Sequence, residues 1–276
     1  MSSFGDSATF SLMTYNLWKT DGIPTYWEKR RGVLLRQLKK LNPDIMVVQE
    51  LHPDIMECIL EALPGHKYIQ SKEGTEPFPG YTDEGNIFYR DSMFKEVDSG
   101  YEDIQQEEEY RRLFWIRLKF ICNGKTALFT NAHQKEIDTD LNLRKIQARL
   151  TINKLNAMQL DNEPCFFGGD LNESFWPKEL LNYAGFVDCF SSLSLPCRPT
   201  HPNRPTLSLE DTLADQALDW LFVRPGRNCS SDSVKSLVGT VVRDMVGLSS
   251  NDPQEKITMC IQPSDHCPVL AVYRVE

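Results

Sequence analysis

Apolar positions along this chain follow two rhythms that alternate from one end to the other. The stretch Thr9-Phe10-Ser11-Leu12-Met13-Thr14-Tyr15-Asn16 alternates apolar with polar, as a strand does. Tyr26 to Leu41 then sets Trp27, Val33, Leu34, Leu35, Leu38 and Leu41 on one helical face, bounded by Pro24 and by Asn42-Pro43. Ile45-Met46-Val47-Val48-Gln49 is a short continuous apolar run, which predicts a strand buried on both faces. A helix is predicted over residues 53–63, ended by Pro64-Gly65.

Further strands are predicted at Gly85 to Tyr89, Arg112 to Ile121 and Thr126 to Ala132. Leu141 to Leu160 carries the longest helical pattern, with Leu143, Ile146, Leu150, Ile152, Leu155 and Met158 as its apolar positions. Cys165-Phe166-Phe167-Gly168-Gly169 reads as a buried strand running into a turn, and Ala217 to Val223 and Val269 to Tyr273 as strands. Interleaved strands and helices without repeat, linker or composition break predict one α/β domain over 1–276.

Polar residues sharpen this picture by where they fall. Asn16 ends the first strand and Gln49-Glu50 the second. Asn131-Ala132-His133 and Gly168-Gly169-Asp170-Leu171-Asn172 end two more. Asp219 heads Trp220-Leu221-Phe222-Val223, and Ser264-Asp265-His266 precedes the last strand. Strand ends are where α/β sheets gather their sites, because loops there bring side chains together on a rigid frame. The set suits phosphoryl chemistry. Glu50 and Asp265 are hard oxygen ligands of the kind magnesium takes, with manganese as a substitute. Asp170 is placed to orient and deprotonate water, and Asn172 and Asn16 offer a donor to phosphate or an oxygen to the metal. His266, held by Asp219, can polarise or protonate an oxygen, with His133 on the other side of the phosphorus. Taken singly, each motif also reads as a turn, a cap or a structural histidine; the ordered set is what argues for a site.

This set resembles the endonuclease/exonuclease/phosphatase superfamily, which includes DNase I, apurinic endonucleases, poly(A)-shortening nucleases, tyrosyl-DNA phosphodiesterases, neutral sphingomyelinases and inositol polyphosphate phosphatases. The resemblance runs from Thr14-Tyr15-Asn16 to Ser264-Asp265-His266, with Gly169-Asp170-Leu171-Asn172 as its most specific piece. It implies a four-layer α/β/β/α sandwich of the DNase I type. It also implies that Glu50 binds metal, that His133 is catalytic and that Asp265-His266 is the family's terminal pair. The chain departs in reading Asn-Ala-His-Gln around His133, where many members have Thr-His-Leu. It shows no Trp-Cys-Asp-Arg-like stretch and no long apolar loop, which weakens the inositol phosphatase and sphingomyelinase readings. In Asp83-Glu84-Gly85-Asn86, Glu84 or Asn86 is a candidate substrate or supporting group, with a plain turn as the alternative.

Composition and charge bear on partners. A net charge of −9 gives no broad basic face for a long duplex, and leaves nucleic-acid ends open. Part of that excess is local, at Glu102 to Glu109, which reads as a solvated loop or strand edge. Loop aromatics Trp18, Tyr81, Phe175 and Trp176 could stack on bases, or pack the loops down. Lys19, Lys178, Arg198 and Arg204 could meet phosphates. The eight cysteines form no Cys-x-x-Cys pair, and the first residues carry no secretory pattern. Reduced thiols, a cytoplasmic or nuclear location and a monomer are therefore expected. No apolar run reaches the roughly 20 residues that span a bilayer. Three functions remain: a metal-dependent phosphodiesterase on single-stranded or end-type nucleic acid, a hydrolase of a small or lipid-like phosphate ester, and a non-catalytic scaffold.

Overall fold

The computed structural model describes residues 7–20, 27–70, 84–104, 112–136, 141–201, 216–243, 246–248 and 259–276. In chain order the first elements are β1 (Ala8–Asn16), α1 (Trp27–Leu41), β2 (Ile45–Gln49), α2 (Pro53–Ala62), β3 (His66–Tyr68) and β4 (Gly85–Arg90). Next come β5 (Phe94–Glu102), β6 (Leu113–Phe120), β7 (Thr126–His133), α3 (Leu141–Met158), β8 (Cys165–Asp170) and α4 (Trp176–Tyr183). The chain ends with β9 (Val187–Asp188), α5 (Cys189–Ser192), β10 (Asp219–Arg224), β11 (Val234–Val241), β12 (Val246–Leu248), β13 (Met259–Ile261) and β14 (Val269–Val275).

Two mixed sheets stack face to face, in the orders β11-β14-β1-β2-β4-β3 and β5-β6-β7-β8-β10-β9. Helices flank both, giving the α/β/β/α layering of the DNase I-like fold. The strand period of two explains how a single sheet serves two cores. In β1 and β2, Leu12 and Val47 point between the sheets, while Met13, Met46 and Val48 point outward onto Leu34, Leu38, Ile55 and Ile59 of α1 and α2. Between the sheets an aromatic cluster carries much of the packing, with Phe129 stacked on Phe166 at 4.9 Å and Phe10 edge-on to both.

Close packing around β8 needs its two glycines. A Cβ on Gly168 would lie 2.6 Å from Val47 Cγ2, and one on Gly169 would lie 2.1 Å from the Ala132 carbonyl oxygen. Gly168 thus lets β8 approach β2 of the opposite sheet, and Gly169 lets it lie close against β7 within its own sheet.

Several elements differ from the sequence reading. The segment from Trp176 is a helix rather than a loop, because Pro177 fits its first turn and Leu181 is buried beneath it. β3, β5 and β11 were not visible in the apolar pattern; β5 and β11 are edge strands whose side chains are largely solvent-exposed. Among the described residues, no helix is long and apolar enough to cross a membrane.

Candidate active site

The strand register places the polar residues in two facing rows. In one sheet His133, Asp170 and Asp219 stand abreast on β7, β8 and β10. In the other, Asn16 pairs with Gln49, and Gln49 with Gly85. Register partners project to the same face, so each row presents its side chains to the same space. The rows are joined by side-chain hydrogen bonds. Asn16 Nδ2 donates to Asp170 Oδ2 and to Glu50 Oε1, both at 3.0 Å. Gln49 Nε2 donates to Asn131 Oδ1 at 2.7 Å.

Each functional group is held from behind. His133 Nδ1 lies 2.6 Å from Glu84 Oε1, with Nε2 3.6 Å from Asp170 Oδ2. His266 Nδ1 lies 2.8 Å from Asp219 Oδ2, with Nε2 3.8 Å from the same Asp170 oxygen. The two imidazoles therefore converge on Asp170 from different sides, each oriented by its own carboxylate. Asn172 donates its backbone N–H to Asp170 Oδ1 at 2.8 Å and its amide to the Gln134 carbonyl at 2.9 Å. Ser264 donates to the Asn16 carbonyl at 2.7 Å and stands 3.0 Å from Asp265 Oδ1. Trp18, Glu50 and Asn172 all carry positive φ, between 50° and 54°. Such strain in non-glycine residues collects where surrounding structure forces a geometry.

The electrostatics follow from this crowding. Burial works against charge on Asp170, yet His266, His133, the Asn172 N–H and the Asn16 amide hold its carboxyl below the ordinary range. Burial likewise opposes an imidazolium at His266, but Asp219 and Asp170 outweigh it and push the group up to about 10.

The donor set suits a divalent cation. Glu50, Asp170, Asp219 and Asp265 bring four carboxylates to one end of the sandwich. The Oδ1 atom of buried Asp219 has no hydrogen-bond partner among the described residues. Oxygen-rich, acid-rich and partly unsatisfied surroundings are what a hard cation balances. Two groups have ligand atoms within 4.8 Å of one another: Asp170 with Asp219 and His266, and His201 with Asp265 and His266.

Other candidates fall differently. Asn86 is fully buried, exchanging hydrogen bonds with the backbone of Ile69 at 3.0 and 3.1 Å, so its side chain braces β4. Trp18 lies against the Arg30 guanidinium, 4.8 Å from its ring centroid. Trp176 and Phe175 are largely exposed and meet edge to face at 5.1 Å, with Lys145 Nζ 4.3 Å over the Trp176 ring. Tyr81 and Arg204 lie outside the described residues.

Two supporting residues were missed by the motifs. Arg30 is fully buried and donates to the carbonyls of Leu17 at 2.8 Å and Pro263 at 2.9 Å, and also to that of Trp18. It ties the exit of β1 to the segment carrying Asp265 and His266. Its sequence signal was a cation three residues after Trp27 on the apolar face of α1. Thr200 donates to Asp219 Oδ2 at 2.6 Å while accepting the Asp219 N–H at 3.0 Å.

Solved structures with this architecture include an endonuclease/exonuclease/phosphatase family protein from Bacteroides thetaiotaomicron, with TM-score 0.79 and 22% identity over 98% of this chain and 99% of that one. TDP2 of D. rerio, solved with a single-strand DNA product, matches with TM-score 0.71 and 17% identity over 96% and 99%. A mannosyl-6-phosphatase of Bacteroides thetaiotaomicron matches with TM-score 0.72 and 21% identity over 95% and 98%. At these identities the likeness establishes the shared fold. No curated protein matches the sequence. The family model described as Endonuclease/Exonuclease/phosphatase matches residues 13–266, nearly the whole chain, and with these residues in these places the chain belongs to that family of phosphoester hydrolases.

Proposed function

We propose that this chain is a divalent-metal-dependent phosphodiesterase acting on nucleic acid, at single strands or ends. The observation that carries the hydrolytic reading is the convergence of His133 and His266 on Asp170, opposite the Asn16–Glu50 pair. Glu50 and Asp265 would hold magnesium or manganese, with Asn16 linking Glu50 to Asp170 or lending the ion an oxygen. When bound, the cation polarises a phosphoryl oxygen and offsets charge that develops on it.

The remaining work falls to the chain's own groups. Asp170 orients the attacking water and takes its proton. Asn172 holds the Asp170 carboxylate through its backbone N–H, and its amide is a donor for phosphate. His266 is kept in one orientation by Asp219 and donates to the reacting phosphate from Nε2. His133, oriented by Glu84, donates from the other side. Asn86 acts by bracing β4 beside the Gly85 register position.

Nucleic acid is favoured by the exposed Phe175–Trp176 pair, three and four residues beyond Asn172, which offers rings for base stacking. Trp18, Tyr81 and Arg204 are the other proposed substrate contacts. The second reading, a small phosphate ester, is favoured by the net charge of −9 and by the likeness to a mannosyl-6-phosphatase. A panel separates the two. It would contain single-stranded DNA, single-stranded RNA, a 5′-tyrosyl oligonucleotide, sphingomyelin, an inositol phosphate and a hexose 6-phosphate, each with magnesium and with chelator. Metal-dependent cleavage of an oligonucleotide is expected; turnover of only the lipid or a small ester would move the substrate to the second reading.

A further inference from the structure

The geometry points to a second cation site on this chain, formed by His201, Asp265 and His266 and suited to a borderline transition metal such as zinc. Ligand atoms of the three residues lie within 4.8 Å of one another. The His201 and His266 rings stand 4.6 Å apart at a tilt of 52°. The position of His201 is set by its backbone. His201 N donates to the Gln216 carbonyl at 3.0 Å, and the preceding Thr200 carbonyl accepts the Cys267 N–H at 2.6 Å. The loop bearing His201 is thus fastened directly to the segment bearing Asp265 and His266.

The surroundings of His266 are those of a metal-binding histidine. Asp219 occupies Nδ1, which leaves Nε2 as the ligand atom, and Thr200 fixes Asp219 in turn. A carboxylate behind a ligating imidazole sets its tautomer and makes it a better donor. Two imidazoles and one carboxylate make three ligands, the number zinc takes where a fourth position stays open. Imidazole nitrogen selects such ions over magnesium, whose preference is for oxygen. His201 is only partly buried, which leaves the set open to solvent. This nitrogen-bearing set differs from the oxygen ligands Glu50 and Asn16 proposed above for magnesium, and it shares Asp265 with them. Filling it withdraws His266 and Asp265 from hydrolysis, so zinc inhibits magnesium-supported turnover; that consequence rests on the function proposed above.

The test is calorimetric titration of the full chain with zinc in the absence of magnesium, for the wild type, His201→Ala, His201→Gln and Glu50→Gln. Magnesium-supported turnover and Tm are measured alongside. The expected result is a zinc affinity that falls in both His201 variants by at least the roughly 10-fold that loss of even an outer-shell partner costs, with Tm unchanged. Glu50→Gln retains wild-type zinc affinity. Zinc binding by His201→Ala equal to wild type, no zinc binding by wild type, or loss of zinc in Glu50→Gln would each overturn the site. The last of these would put the ion among the oxygen ligands. A wild type that binds zinc as described but shows no magnesium-supported turnover would count against the hydrolase and leave the zinc site standing.

Discussion

The two ends of the sandwich solve the same problem in opposite ways. At the far end, Asp44 sits just before β2 and receives the Ser11 N–H at 2.9 Å, the Ser11 hydroxyl at 2.8 Å and Arg90 Nε at 2.8 Å. Arg90 in turn donates to the Asn42 carbonyl at 2.8 Å. One acid meets one guanidinium, and the network closes on itself. At the site end, Asp170, Asp219, Asp265 and Glu50 gather around two histidines, and an oxygen of Asp219 is left without a partner among the described residues. The fully buried arginine there, Arg30, spends its guanidinium on backbone carbonyls. A balanced polar network holds strands together; an acid-rich one is completed by something brought from outside.

Substitutions should therefore separate the ends by what they damage. The largest effect is expected from Asp170→Asn, which should lower kcat by about 10²–10⁴-fold while Asp44→Ala leaves kcat near wild type. Equal losses in the two variants would erase the distinction. Asp219→Asn should cost about 10–100-fold in turnover, because His266 keeps its place but loses the carboxylate that orients it. In stability the order reverses. Asp44→Ala leaves Arg90 Nε and the Ser11 N–H without their acceptor, and should destabilise the fold by about 1–3 kcal/mol in chemical denaturation.

A further expected effect is a pH dependence confined to the site end. His266 has its affinity for a proton raised, so the stability it contributes is present below its ordinary value, about 6.5. It is lost as pH climbs through about 10. Metal-free protein should thus lose Tm between pH 7 and 10, and His266→Gln should flatten that slope. An unchanged slope would mean that the imidazole carries no extra proton.

The same contrast explains what was legible in the sequence. β2 and β8 announced themselves as continuous apolar runs because they are covered on both faces, and their polar ends marked the site. Asp170, Asp265 and His266 stood in motifs whose order along the chain is the order of the strands. β5 and β11 left no apolar rhythm, since edge strands satisfy their backbones on one side and present charge on the other. Arg30 and Thr200 were hidden for another reason. Their work is done through backbone carbonyls and one carboxylate oxygen contributed by distant segments, a relation that no local spacing records. Asn86 stands at the start of β4, where its buried side chain exchanges hydrogen bonds with Ile69.

The central claim is that the acid-rich end is a cation-dependent hydrolytic centre. It is tested most directly by the rate of hydrolysis of bis(p-nitrophenyl) phosphate as magnesium is titrated into chelator-stripped wild type and Glu50→Gln. The account predicts saturable, magnesium-dependent turnover in the wild type, abolished by chelator and restored by magnesium, with Glu50→Gln requiring far more magnesium. Turnover that survives chelation, or a Glu50→Gln curve that overlays the wild type, would contradict it.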